Sequence, residues 1–89
     1  MIKKTILITS SHGLHARPAS LFVRTATQFR SEVKIHKDGM VVNGKSIMGV
    51  MMLAAEKGSK IELELSGEDE KKLLEAIEEL FEKNFYEED

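Results

Sequence analysis

The chain has 89 residues, no cysteine and a formal net charge of -2. A chain of that length is expected to form one small domain over residues 1–89, burying about two-thirds of its unfolded surface, which leaves little room for a deep catalytic cleft. Without cysteine there is neither a disulfide framework nor a thiolate metal cluster, and the slight acidity argues against a protein built to neutralise nucleic-acid phosphates. The opening MIKKTILITS has too short an apolar run for a signal peptide, and no later run is long enough to span a bilayer, so a cytoplasmic protein outside the membrane is expected. Acid gathers in the last third and ends in Glu87, Glu88 and Asp89, whereas residues 1–60 hold all three arginines. One part of the surface therefore favours an anionic partner and the other repels it.

In chain order, Ile6 and Ile8 alternate with Thr5 and Thr9, which predicts a strand over residues 2–9 with one buried face. After the loop SSHGLH, Pro18 suits the first turn of a helix, and Ala19, Phe22, Val23, Ala26 and Phe29 form its inward stripe, so that helix is expected to end near Phe29. Val33 and Ile35 alternate with charged neighbours, Asp38-Gly39 is a two-residue hairpin signal, and Met40-Val41-Val42 supplies the returning strand. Asn43-Gly44 is a turn, Ser46 an N-cap, and a short apolar helix follows that closes before Gly58. KIELELSG alternates as a fourth strand with Ile61, Leu63 and Leu65 on its apolar face. From Glu68 onward, Leu73, Leu74, Ile77, Leu80 and Phe81 mark an amphipathic helix with acids in its first turn. Four strands with one apolar face each, and three helices with one apolar stripe each, predict an α+β, βαββαβα two-layer sandwich: a mainly antiparallel sheet covered on one side and wet on the other.

Two tempting motifs are set aside. Gly39, Gly44, Lys45 and Ser46 match the G-x-x-x-x-G-K-[ST] pattern of phosphate-cradling loops, but the four residues between the glycines read as a strand rather than as flexible backbone. His12 and His15 have the look of metal ligands, yet no third or fourth ligand stands near them in sequence, and His36 falls on the polar side of a strand, so no metal and no cofactor is expected. A different chemistry begins at the helix start. A helix N-terminus exposes unpaired N–H groups and partial positive charge, which suits a phosphate, and Arg17 adds a planar, permanently charged fork. His15 sits at that end, and neutral imidazole is a nucleophile whose phosphorylated form passes its phosphoryl group onward readily. On these residues alone, a capping His15 beside a surface Arg17 stands as an equal alternative.

The second informative stretch is KSIMGVMML. If Val50 and Leu53 face the core, then Ile47, Met48 and Met51 look outward, and Leu21 lies off the inward stripe of the first helix. Such a cluster reads either as a docking surface, with Met adapting to several partners, or as gap-filling methionine. Ser46 likewise has two readings, as an N-cap hydroxyl and as a phosphorylation site that would place charge in the middle of that surface.

GLHARPAS followed by GKSIMGVMML in a βαββαβα chain resembles the histidine-containing phosphocarrier (HPr) family of the bacterial phosphoenolpyruvate-dependent sugar phosphotransferase system. The resemblance implies an open-faced sandwich with strand order 1-4-2-3, and a phosphoryl carrier rather than a stand-alone enzyme. It implies that His15 accepts a phosphoryl group on Nδ1 from phosphorylated Enzyme I and passes it to sugar-specific IIA components. Arg17 steadies that group, and the backbone at Ala16 and Arg17 receives its oxygens. Ser46 matches the position modified by an HPr kinase/phosphorylase, with the serine-phosphorylated form binding a catabolite-control transcription regulator. Leu21, Arg24, Ile47, Met48 and Met51 fall where partners dock, and a monomer is expected. A mainly regulatory adaptor controlled through Ser46 is the alternative. One departure stands out: His12 occupies a place where the family usually has a small polar residue, so its ring either joins the anion site or points into solvent.

Overall fold

The computed structural model describes residues 1–86; the acidic terminus at Glu87, Glu88 and Asp89 lies outside the described residues. Strand β1 (Ile2–Leu7) is followed by helix α1 (Ala16–Ala26), strands β2 (Glu32–Lys37) and β3 (Met40–Asn43), helix α2 (Ile47–Met52), strand β4 (Lys60–Ser66) and helix α3 (Glu70–Glu82). The strands form one antiparallel sheet in the order β1-β4-β2-β3. Element types, strand order and the α+β open sandwich agree with the sequence reading.

The alternation of each strand sets its two faces. Val33 and Ile35 on β2 and Ile61, Leu63 and Leu65 on β4 are buried under the helices together with Ala19, Phe22, Val23 and Ala26 of α1, Val50 of α2, and Leu73, Ile77 and Leu80 of α3. The opposite face is mostly polar, with exposed Leu7 and Val41 on its edge strands. In register, Lys3 and Lys34 flank Glu64, and Thr5 and His36 flank Glu62, while the His36 Nε2 approaches Glu64 Oε1 at 3.3 Å. This alternation of opposite charges across strands suits a wet sheet surface.

The boundaries move in small ways with physical causes. Strand β1 stops at Leu7, although buried Ile8 still exchanges backbone bonds with the 58–59 turn, Ile8 N–H to Ser59 O and Gly58 N–H to Ile8 O, both 2.8 Å. Helix α1 ends at Ala26 rather than near Phe29; Phe29 is half-buried against the core from the turn beyond it. Helix α2 is only six residues long. Asp38 and Gly39 both take positive φ, 49° and 82°, the geometry that the twist of a two-residue hairpin demands. Helix α3 starts two residues after Glu68, because Asp69 is held elsewhere: its carboxylate accepts from the Arg30 N–H at 3.0 Å, from the Ser31 N–H at 2.9 Å and from the Ser31 hydroxyl.

A further turn at Asn84–Tyr86, with φ of 52°, 54° and 58°, was not legible in the sequence. Left-handed backbone is unfavourable for such residues. Burial of Phe85, whose ring meets Phe81 edge-on at 4.8 Å while Phe81 in turn meets Phe22, offsets that cost.

Candidate functional site

The loop between β1 and α1 is held tightly. Ser10 is buried and its hydroxyl donates to the Gly13 carbonyl at 3.2 Å, the Gly13 N–H donates back to Ser10 O at 3.1 Å, and the Leu14 N–H donates to Ala55 O at 2.8 Å. Leu14 is buried in the core. Gly13 has φ +65°, and a Cβ there would stand 2.2 Å from the Ala55 carbonyl oxygen, so only glycine allows this loop to lie against the chain after α2. The loop that carries both histidines is therefore fastened at Ser10, Gly13 and Leu14 before the helix begins.

His15 is the N-cap of α1, with extended backbone (φ -81°, ψ -171°) and a carbonyl that accepts from the Ala19 N–H at 2.9 Å. Its imidazole is half-buried and makes no capping bond to the helix. The His15 side chain therefore satisfies none of the first-turn amides, which a helix start leaves without partners inside the helix. Pro18, in that same turn, has no N–H to leave unpaired and is buried. Two open depressions meet at exposed Ala16. One, of about 220 Å³, is lined by His12, His15, Met51 and Glu56 among others. The other, of about 600 Å³, is lined by Arg17, Leu21, Arg24 and Tyr86. The structure so brings His15, Ala16 and Arg17 together at the helix start, with Met51 on one flank and Leu21 and Arg24 on the other.

His12 is exposed, and its ring stands edge-to-face with that of His15, centroids 5.7 Å apart and planes at 85°. Among the described residues no group of three or more His, Cys, Asp or Glu is placed to hold a metal ion, and no helix is long and apolar enough to cross a membrane.

Ser46 is the N-cap of α2, its Oγ accepting from the Gly49 N–H at 3.0 Å. The turn before it is fixed by Asn43, whose side-chain oxygen accepts from the Lys45 N–H at 2.9 Å. Val50 and Leu53 are buried as expected, and Ile47, Met48 and Met51 are exposed. At 74% exposure Met48 fills no gap in the core, and Met52, absent from the sequence reading, is 64% exposed. Its signal was present: with Val50 facing in, a residue two positions on points to the far side of the helix. Leu21 is half-buried against the edge of the core and offers less surface than the α2 residues. The Tyr86 wall of the larger depression and the Lys45 Nζ bond to the Phe29 carbonyl at 2.7 Å had no local sequence signal, since each joins parts of the chain far apart in sequence.

A family model for the phosphorylation site of the HPr component of the phosphotransferase system matches residues 2–83. The chain belongs to the HPr family. The phosphocarrier protein HPr of Neisseria meningitidis is 52% identical over 80 residues, 90% of each chain. A crystal structure of HPr from Thermoanaerobacter tengcongensis, 45% identical, superposes with a TM-score of 0.94 over 99% of both chains. Crh, a catabolite-repression protein of Bacillus subtilis solved as a swapped dimer, is 42% identical, with a TM-score of 0.73 over 94% of this chain and 97% of its own. HPr proteins are phosphocarriers of the phosphotransferase system, and membership gives this chain that general role.

Proposed function

We propose that His15 carries the phosphoryl group. The observation that supports this most is its place as N-cap of α1, with an imidazole that makes no capping bond to the helix and lines one depression with Ala16. In this reading the lone pair of neutral Nδ1 attacks the phosphorus of phosphorylated Enzyme I, the bond to the donor breaks, and the new N–P bond forms on His15. Transfer to a IIA component repeats the step in the other direction. The amides of Ala16 and Arg17 receive the phosphoryl oxygens and the Arg17 guanidinium adds charge-assisted bonds. The helix dipole contributes only about 0.3–2 kcal/mol, enough to position and stabilise the group, while the driving force comes from the donor. The exposed residues of α2 with Leu21 and Arg24 form the docking surface.

Ser46 supports a second, regulatory reading alongside the first. It caps α2 next to the exposed methionines, and the likeness to Crh favours a role in catabolite repression. Phosphorylation by an HPr kinase/phosphorylase would put about -1.5 to -2 charges into the apolar docking surface, changing which partners bind while leaving a charge that the helix start tolerates. The protein acts in the cytoplasm as one domain and as a monomer, with a catabolite-control transcription regulator as partner of the serine-phosphorylated form.

Incubation with phosphoenolpyruvate, Mg²⁺ and Enzyme I is expected to give an acid-labile phosphate that His15→Ala abolishes completely. Label retained in that variant would sink the assignment. Acid-stable label from ATP and an HPr kinase, lost in Ser46→Ala, marks the regulatory branch.

A further inference from the structure

His12 and His15 lie in edge-to-face contact in the same depression, on a loop fixed by Gly13 and Leu14. The backbone that carries both rings is fixed by that loop's bonds to the chain after α2. A phosphoryl group on His15 would bring three acceptor oxygens and close to two negative charges to within reach of the neighbouring ring. Protonated imidazole is a cation with donors on both nitrogens, and neutral imidazole has one donor and no charge. The hold of His12 on such a group therefore depends on its own proton. Among the described residues, the other ionisable groups at this place are His15 itself, Glu56 in the wall of the depression and Arg17 on the first turn of α1. Histidine is the side chain whose ordinary range falls between about pH 6 and 8.5, and the phosphoryl group itself takes up a proton at about pH 6, so the part that belongs to His12 is the difference between wild type and His12→Asn.

Resting on the reading of His15 as phosphoryl acceptor, we propose that His12 is a proton-gated positioning residue. Its imidazolium donates to the phosphoryl oxygens on His15, so the phosphorylated state is held more firmly as pH falls through the titration of His12. By linkage the effect is reciprocal: whatever factor the His12 proton adds to the stability of the phosphorylated state, the phosphoryl group adds to proton affinity at His12.

Phosphoramidate loads histidine without a partner protein. The lone pair of a ring nitrogen of His15 forms the new N–P bond, the P–N bond of phosphoramidate breaks, and ammonia leaves with that electron pair. The test is ring NMR titration of His12 before and after loading, with phosphorus NMR to locate the group, and a competition in which wild type and His12→Asn exchange phosphoryl groups through catalytic Enzyme I. The pKa of His12 is expected to rise by about half a unit or more on loading. Correspondingly, the exchange ratio should favour wild type about threefold or more at about pH 6 and relax toward unity at about pH 8.5. Glu56→Gln should keep the difference between the two pH values. Phosphorus on His15 with a smaller shift at His12, or an exchange ratio independent of pH, overturns the inference alone. Absence of phosphorus from His15 overturns the acceptor reading and this inference with it.

Discussion

The starts of α1 and α2 solve the same problem in opposite ways. Both helices begin with backbone N–H groups that lack partners within the helix. At α2 the Ser46 hydroxyl accepts from the Gly49 N–H and closes the end. At α1 the N-cap is His15, whose ring makes no such bond, and the adjoining charge comes from Arg17 without an acid in the first turn. A closed helix start is a stability device, and an open one beside an imidazole and a guanidinium is suited to an anion. The contrast also separates the two proposed phosphorylations. At α1 the phosphoryl group adds to donors already in place, whereas at α2 it modifies the very hydroxyl that acts as the cap.

The comparison breaks most readily at Arg17. Replacement by Ala should slow phosphoryl transfer through His15 roughly 10- to 100-fold, the equivalent of one charge-assisted hydrogen bond lost, with little change in melting temperature; stopped-flow transfer rates and a thermal melt measure both, and unchanged rates would remove Arg17 from the site. Ser46→Ala should do the reverse. It removes a cap worth about 1 kcal/mol, lowering the melting temperature by a few degrees, and leaves chemical phosphorylation of His15 as it was.

The start of α3 sharpens the contrast further, because there the N-cap side chain serves a distant segment. The Ser31 hydroxyl first, and then the Arg30 N–H, hold the Asp69 carboxyl down at about 2. A folded-state pKa below the unfolded one contributes stability that is complete above the ordinary carboxylate range and is lost as pH falls through the folded value. Asp69→Asn should therefore lower stability at neutral pH, where the clamp contributes in full, and flatten its fall between about pH 4 and pH 2, with the smallest effect of the three on phosphoryl transfer; equilibrium denaturation against pH reads it, and identical profiles would show that the clamp contributes nothing.

Much of this was legible in the sequence because the deciding signals are local. Alternation fixed Ile61, Leu63 and Leu65 on one face, Asp38-Gly39 announced its turn, and GLHARPAS placed His15 at a helix start. What stayed hidden depends on contacts between distant segments. Asp69 falls among the acids expected in the first turn of the last helix, yet its carboxylate bonds residues 38 and 39 positions away. Phe85 sits in a left-handed turn that no local preference favours, held by aromatic packing on Phe81. The contact between His12 and His15 depends on how the loop is fastened at Leu14 and Ala55, which their spacing alone does not reveal.

The most direct test of the central claim is a ¹⁵N NMR comparison of the protein before and after phosphorylation by phosphoenolpyruvate and Enzyme I. The account predicts phosphorus bonded to Nδ1 of His15, with the largest amide displacements at Ala16 and Arg17 and small ones at the already capped start of α2. Phosphorus on another residue, or unmoved amides at Ala16 and Arg17 beside a phosphorylated His15, would contradict it.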